Sequence, residues 1–186
     1  EAAARTIPRQ IAGVMHREVA AFLTARGGIP VRIAHHFEAA ECWPQASEKY
    51  RQAAEQARWD ARRADEARLL DQARECYERA DMADAAFACA DLQAAALVAA
   101  MLHSEADALA QHLARSAETP RQRLIALDAD ASNYCNQHND EVALAKLRTA
   151  RALAEEIGDQ RMRSRRDACS ETCSASSSSG RIERPW

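Results

Sequence analysis

Ala34-His-His-Phe37, followed by Ala46-Ser-Glu-Lys-Tyr50-Arg-Gln-Ala53, is a pattern that the chain repeats as Ala131-Ser-Asn-Tyr134 followed by Ala143-Leu-Ala-Lys-Leu147-Arg-Thr-Ala150. In both copies an aromatic residue stands three positions after a small residue, and a gap of nine leads to small, large and small residues at steps of four and three. Spacings of three and four place side chains on one face of a helix. The pattern therefore predicts two helical hairpins, each with a seam of alanine and aromatic side chains.

The composition of the 186-residue chain favours closely packed helices. It contains 44 alanines against 5 glycines, 5 prolines and 9 aromatic residues, and alanine has the highest helix propensity. We therefore predict an all-α fold in which antiparallel helical hairpins stack as a short α-solenoid. Lys49 and Lys146 are the only lysines among 25 basic residues, and this arginine and alanine bias is typical of a GC-rich, bacterial gene.

Charge and hydropathy argue against nucleic-acid and membrane partners. The 28 acidic and 25 basic residues are interspersed and give a net charge of −3, so no basic patch for nucleic acid is expected. No run of eighteen apolar residues and no signal peptide is present. The six cysteines are widely spread, which indicates a reducing, cytoplasmic location, and the four in the helical part are expected to be buried as small hydrophobic residues.

Glycine, proline and capping residues divide the chain into seven or eight predicted helices. Gly27-Gly28 is expected to end the first helix, and Ser104 with Asp107 resembles a capping box that begins the sixth. Thr119-Pro120 is a capping residue followed by a first-turn proline, and it begins the seventh helix.

Three segments of different character follow from this division. Residues 1–29 are predicted to form a lead-in helix from the end of an upstream module, and residues 30–159 a helical repeat domain. Residues 160–186 lack apolar periodicity and are rich in serine, so we predict a disordered or artefactual tail. Because the first residue is Glu1 and not methionine, the chain is expected to be a fragment of a longer protein.

The repeated hairpin pattern resembles the tetratricopeptide repeat, whose hairpins stack in arrays because none of them buries its apolar face alone. Its two copies begin at Ala34 and Ala131, 97 residues apart, which is close to but short of three 34-residue repeats. The middle of the array is therefore expected to be degenerate or differently spaced.

Further segments are similar to the region that follows the ATPase core in bacterial STAND-class signal-transduction ATPases, which include LuxR-type regulators and cyclase-linked ATPases. They are Met15-His-Arg-Glu-Val19, Ile33-Ala-His-His-Phe-Glu-Ala-Ala40, Tyr50-Arg-Gln-Ala-Ala-Glu-Gln-Ala57, Ala64-Asp-Glu-Ala-Arg-Leu-Leu-Asp-Gln-Ala73 and Ala150-Arg-Ala-Leu-Ala-Glu-Glu-Ile-Gly-Asp159. In those proteins a helix with an Ala-His-His-type segment leads into a repeat array.

This resemblance implies a non-catalytic interaction or sensing segment of a larger bacterial regulator. Its partner would be a protein or peptide, or neighbouring domains of the parent chain, and it would need no cofactor. The chain has no Gly-x-x-x-x-Gly-Lys-Ser/Thr loop and no helix-turn-helix with a basic recognition helix, so an ATPase core or DNA-binding output would lie outside it. Two alternatives stay open: a free-standing adaptor built of such repeats, and a helical-bundle metalloprotein or enzyme.

The sequence offers few candidates for catalysis or metal binding. His35 and His36 lie about 100° apart around a helix, so they cannot bind one ion without ligands from elsewhere, and we predict no metal site. No nucleophile and base pair is evident, and we predict no catalytic residues. Trp43 and Trp59 are expected to fill gaps between hairpins rather than to stack on a ligand.

A candidate interaction surface lies on the first helix of each predicted hairpin, which lines the concave face in the arrays that this chain resembles. Its polar, groove-facing residues are His35, Glu38, Asp128, Ser132 and Asn136. The alternative is an ordinary solvated helix surface. In both cases Glu38 and Asp128 are expected to be replaceable with little loss of stability.

The last predicted helix carries an apolar stripe that consists of Val142, Leu147, Ala150 and Ile157. Because no further repeat follows it, this stripe is expected to be partly uncovered. Self-association through the exposed last repeat is therefore a further expectation.

Overall fold

The computed structural model describes residues 9–158, and within this range it contains eight α-helices and no β-strand. The helices are α1 (Arg9–Ala25), α2 (Pro30–Ala39), α3 (Trp43–Trp59), α4 (Arg63–Arg79), α5 (Ala83–Ala99), α6 (His103–Ser116), α7 (Pro120–Asn136) and α8 (Asp140–Glu156). The predicted all-α fold is confirmed. The predicted tail, residues 160–186, lies outside the described residues.

Four consecutive helices begin at intervals of 20 residues, at Trp43, Arg63, Ala83 and His103. Two such helices with their turns take 40 residues, more than the 34 of a tetratricopeptide repeat. The two copies of the sequence pattern begin on α2 and α7, which are five helices apart. If the first and second helices of hairpins alternate along the chain, an odd separation means that α2 and α7 cannot both be first helices. The middle of the chain is therefore spaced differently from 34-residue repeats, as the sequence predicted.

The turns between these helices share one hydrogen-bond pattern. After α2 the amide of Glu41 donates to the carbonyl of Glu38, and the amide of Cys42 donates to the carbonyl of Phe37. With a φ of +56° at Glu41, this is the Schellman motif. The same bonds recur around residues with positive φ, namely Gly27, Ala61, Asp81, Met101 and His138. The glycine was predicted. Asp81 and His138 are types enriched at positive φ, whereas Glu41, Ala61 and Met101 are types that rarely adopt this conformation.

The predicted cap at Thr119 is confirmed and forms a full capping box, whereas the capping box predicted at Ser104 is wrong. The hydroxyl of Thr119 accepts from the amide of Gln122 at 3.2 Å, and the Gln122 side chain accepts from the amide of Thr119 at 3.1 Å, so α7 begins where the sequence predicted. At α6 the helix begins after Leu102 with no side-chain cap. Asp107 instead accepts a hydrogen bond from Asn133 on α7, which removes it from a capping role.

The chain divides into two compact units at Gln93 and Ala94, within α5. In the first unit α1 packs on α2, α2 on α3, and α3 on α4. Its fully buried residues include Ala34, Ala46, Tyr50, Ala57 and Ala73. The first predicted seam is therefore confirmed, since its alanines and its tyrosine lie between the helices.

In the second unit α6 packs on α7, and α7 packs on α8. Leu124 of α7 forms a small core with Ala150 and Ala154 of α8, and all three are 0% exposed. Leu147 is also buried at 5% exposure. Leu147 and Ala150 are therefore covered by α7, whereas Val142 and Ile157 at the two ends of the predicted stripe are half-buried. The stripe is partly uncovered, as predicted, but only at its ends.

Candidate functional site

Two of the predicted surface residues are bound to a buried tyrosine. The hydroxyl of Tyr50, on α3, lies 2.8 Å from Nδ1 of His35 and 2.5 Å from Oε2 of Glu38, both on α2. Tyr50 is 0% exposed, whereas the side chains of His35 and Glu38 are 55% and 36% exposed. The three residues therefore join α2 to α3 at the edge of the core.

The hydrogen-bond roles in this cluster follow from its chemistry. A hydroxyl has one proton, and Tyr50 donates it to the Glu38 carboxylate, so Nδ1 of His35 must donate to the Tyr50 oxygen. Burial, and then the hydrogen bond to Glu38, raise the pKa of Tyr50 far above its ordinary value. Tyr50 keeps its proton and acts as a link between helices, while the outer edges of His35 and Glu38 remain accessible.

The adjacent histidine, His36, faces a different helix. Its Nδ1 lies 2.9 Å from Nδ1 of His16 on α1, whereas His35 faces α3. Burial lowers the pKa of His36, and the positive charges of His16 and Arg32 lower it further. In the part of the chain that the structure describes, no group of three or more His, Cys, Asp or Glu side chains is placed to hold a metal ion.

The three predicted surface residues on α7 differ in their exposure. Asp128 is 6% exposed, so it is not an accessible surface residue as predicted. Ser132 is half-buried, and Asn136 is exposed and donates from its side-chain amide to the Ser132 carbonyl at 2.9 Å. Of these three residues, Ser132 and Asn136 therefore keep the accessibility that a binding residue needs.

A buried asparagine that the sequence analysis did not identify joins α6 to α7. Asn133 is 0% exposed, and its Oδ1 accepts from Nδ1 of His103 at 2.8 Å. Its Nδ2 donates to Oδ1 of Asp107 at 2.6 Å and to the His103 carbonyl at 3.0 Å. Asn133 follows Ala126 and Ala129 at steps of three and four, so the three residues share one face of the helix. This position of a polar residue among alanines is the sequence signal that could have predicted a buried asparagine.

An arginine network holds α4 and α5 together in the first unit. The guanidinium of Arg74 donates to Asp71 at 2.7 Å and to Glu78 at 2.6 Å on its own helix, and to Gln93 on α5 at 3.3 Å. Gln93 is 7% exposed and also donates to Asp71 at 3.0 Å. These charges are neutralised within the protein, which indicates a structural role.

A cavity of about 230 Å³ opens beside α3, α4 and the first part of α5. Its charged lining consists of Glu48, Arg51, Glu55, Arg58 and Glu66. Ligand pockets usually measure about 300–1,000 Å³ and are mainly apolar. This cavity is smaller and carries mixed charges, so it does not define a ligand class.

Two of the four cysteines within the described residues, Cys76 and Cys89, have unreactive thiols. Burial raises the pKa of Cys76 to about 11 and that of Cys89 to about 12, so both thiols stay protonated at neutral pH. These two cysteines are buried as predicted. Cys42 and Cys135 are only half-buried, so the prediction was too general.

Trp43 and Trp59 have different surroundings. Trp43 is half-buried, with the guanidinium of Arg79 4.8 Å from its ring centroid. Trp59 is 82% exposed. The prediction that it fills a gap between hairpins is therefore wrong.

The most accessible apolar surface is on α1. We call Ile11, Val14, Met15, Val19 and Phe22 the α1 apolar face, and they are 54%, 45%, 51%, 40% and 56% exposed. Ala20, about half a turn away around the helix, is 0% exposed, and His16 contacts α2. The helix therefore packs through small and polar residues and presents its large apolar side chains to solvent.

None of the helices within residues 9–158 combines the length and the apolar character needed to cross a bilayer. Comparisons of this chain with protein-family models, with curated proteins and with solved structures find no match.

Proposed function

We propose that this chain is a non-catalytic, helical-repeat interaction segment of a larger bacterial regulatory ATPase or transcriptional regulator. It would act by binding another protein or a neighbouring domain of its parent chain. The observation that carries the proposal is the α1 apolar face, because contiguous exposed apolar side chains on a folded protein mark interaction surfaces.

The polar networks support the same role. Tyr50, Asn133 and Arg74 each make at least one hydrogen bond that joins their helix to a neighbouring helix. Such bonds build a rigid scaffold, and a rigid scaffold lowers the entropy cost of binding a partner. The accessible edges of His35 and Glu38 would add polar contacts to an apolar anchor.

The link to an ATPase is tested by the gene. Reading the codons upstream of Glu1 is expected to reveal a Gly-x-x-x-x-Gly-Lys-Ser/Thr loop in the same reading frame. An upstream stop codon without such a loop would contradict the ATPase assignment and favour a free-standing adaptor.

The interaction role is tested by binding. We expect the module encoded immediately upstream, expressed separately, to bind the chain, and Phe22→Ser to weaken that binding at least about tenfold because aromatic anchors dominate interfaces. Trp59→Ser is the matched control, since Trp59 is also exposed but lies outside the α1 apolar face. Equal affinity for both variants would contradict the role of this face.

A further inference from the structure

The contact between α1 and α2 includes a hydrogen bond between two histidines, His16 and His36, which we call the histidine pair. The two Nδ1 atoms lie 2.9 Å apart, the ring centroids lie 5.2 Å apart, and both residues are half-buried. One Nδ1 must donate a proton and the other must accept it. The bond therefore forms when both rings are neutral or when one is charged, but not when both are charged.

The surroundings of the histidine pair disfavour a second positive charge. Burial is the largest cause that lowers the pKa of His36. The positive charge of His16 on α1 lowers this pKa further, and so do the charges of Arg32 and His35 on α2 itself. Arg32 precedes His36 by four residues, so the two side chains lie on the same face of α2.

Two acidic residues that are close in sequence face away from the histidine pair. Glu18 is exposed and follows His16 by two positions, which places it about 160° away around α1. The Glu38 carboxylate accepts the hydroxyl proton of Tyr50, on the side of α2 that faces α3. Neither carboxylate is placed to compensate a second charge on the pair.

The rest of the contact gives α1 little to hold it against α2. Among residues 11–25 only Ala20 is buried, and an alanine side chain removes little apolar area from water. The α1 apolar face lies in solvent. Gly27, with a φ of +67°, and Gly28 join the two helices, and glycine adopts more backbone conformations than other residues. This turn allows α1 to move as a unit.

We propose that the histidine pair is an acid-sensitive switch, which keeps α1 packed on α2 at neutral pH and releases it when both imidazoles are protonated. The second proton leaves two N–H donors facing each other and two positive charges in contact, so the bond is lost and the rings repel. The proposal does not rest on the proposed function, because it concerns the side of α1 opposite to the α1 apolar face.

The adjacent histidine shows why acid acts on α1 and not on the rest of the first unit. Nδ1 of His35 donates to the Tyr50 oxygen, so a proton added at its Nε2 leaves that bond in place. Glu38 also keeps its bond to Tyr50. The link between α2 and α3 therefore survives a pH that breaks the link between α1 and α2.

The direction and the size of the pH effect follow from linkage. Release of α1 returns the pKa of His36 towards its ordinary value of 6.5, whereas packing lowers it. The released form therefore binds more protons below this value. The ratio of released to packed α1 is expected to rise by up to about tenfold per pH unit as the pH falls below 6.5, until it passes the lowered pKa.

Hydrogen exchange of the full 186-residue chain measures this ratio helix by helix. Rates at several values between about pH 7.5 and about pH 5 are divided by those of an unstructured peptide at the same pH, which gives the protection of each helix. The protection of α1 is expected to fall with pH by up to about tenfold per unit, whereas that of α7 and α8 is expected to stay constant.

Glutamine variants separate the switch from a general effect of acid. A glutamine amide can donate to a neutral imidazole or accept from a charged one, so His16→Gln and His36→Gln are each expected to keep α1 protected at low pH. His112→Gln, at an exposed position on α6, is the matched control and is expected to release α1 as the unchanged chain does. The double variant His16→Lys, His36→Lys is expected to leave α1 unprotected even at neutral pH.

Four results would overturn the proposal. They are an α1 that is unprotected at neutral pH, an α1 whose protection does not change with pH, a loss of protection that is equal in α1 and α7, and a pH dependence that persists in both glutamine variants. Circular dichroism at neutral pH shows whether each variant is folded. Because the two glutamine variants remove opposite sides of one contact, either of them that folds is sufficient for the test.

Discussion

The first and last described helices have the same length and a similar apolar periodicity, but their apolar residues differ in exposure. Both α1 and α8 are 17 residues long and carry apolar residues at helical spacing. On α8 Leu147 and Ala150 are 5% and 0% exposed, because α7 packs over them. On α1 Ile11 and Phe22 are 54% and 56% exposed. An apolar stripe thus marks a surface suited to burial without showing which element covers it.

The apolar residues of α1 and α8 differ in exposure because the two helices contact their neighbours through different residues. Towards α2, α1 presents His16, whose Nδ1 lies 2.9 Å from that of His36, and its most buried residue is Ala20. Small residues allow two helices to approach closely. The side of α1 that faces α2 therefore packs without help from the large apolar side chains on the opposite side of α1. On α8 the buried residues are Ala143, Leu147, Ala150 and Ala154, and the last two pack with Leu124 of α7.

The sharpest test of this contrast removes one large side chain from each surface. Leu124→Ala is expected to lower the free energy of unfolding by about 2–5 kcal/mol, because it leaves a cavity in the α7 and α8 core. Phe22→Ala, measured at a dilution where the chain is monomeric, is expected to change it by less than about 0.5 kcal/mol. Similar losses in urea denaturation would show that α1 is covered by its own chain.

The buried amide on α7 allows a comparison within one helix. Asn133→Ala is expected to cost about 1–3 kcal/mol, because it leaves His103 and Asp107 without their partner between α6 and α7. Asn136→Ala, three residues further on and exposed, is the control and is expected to be nearly neutral. Equal effects of the two variants on thermal unfolding would contradict a structural role for the Asn133 network.

The close packing of α8 is tested by adding volume. Ala150→Leu is expected to destabilise the chain by about 1–2 kcal/mol, since Ala150 is 0% exposed and has no space for a larger side chain. Ala152→Leu, two residues along the same helix at an exposed position, is the control. A neutral Ala150→Leu variant in chemical denaturation would place the seam of the last hairpin elsewhere.

The smallest expected effect concerns the histidines between α1 and α2. The folded chain binds the His36 proton more weakly than the unfolded chain, because burial and then the charges of His16 and Arg32 lower its pKa below the ordinary value of 6.5. Stability is therefore expected to fall as the pH drops below that value, until it passes the lowered pKa.

His36→Gln is expected to flatten this pH dependence, whereas His112→Gln, at an exposed position on α6, is the control. Unfolding free energies measured at several pH values between 7 and 5 check the direction. An unfolding free energy that rises as the pH falls through this range in the unchanged chain, and no longer does so in His36→Gln, would contradict the assigned shift.

Local signals in the sequence were sufficient for most of the fold. Thr119-Pro120 and Gly27 mark the ends of helices because a capping hydroxyl, a first-turn proline and a positive φ are local requirements. The alanine and aromatic spacing located the seams at Ala34 and Ala150, both of which are 0% exposed. These features depend on a few neighbouring residues, and so a single sequence can predict them.

The errors arose where a distant residue decides the outcome. The position of Asp107 in the sequence fits a capping box, but its carboxylate accepts a hydrogen bond from Asn133 on α7 instead. Asp128 lies at a position that spacing alone assigns to the surface, yet it is 6% exposed. His35 and Glu38 of the candidate surface retain accessible edges. Their hydrogen bonds with Tyr50 could not be predicted from the sequence, because these bonds depend on how α2 and α3 pack.

The bonds between helices also bear on how the chain is made. His16 bonds to His36, Tyr50 to Glu38, and Asn133 to Asp107, and each pair joins consecutive helices. Contacts between segments close in sequence need little loop closure, and proteins rich in them fold rapidly. Within each unit a helix can therefore dock on its predecessor as it leaves the ribosome. Little apolar surface of that unit would then stay exposed during synthesis.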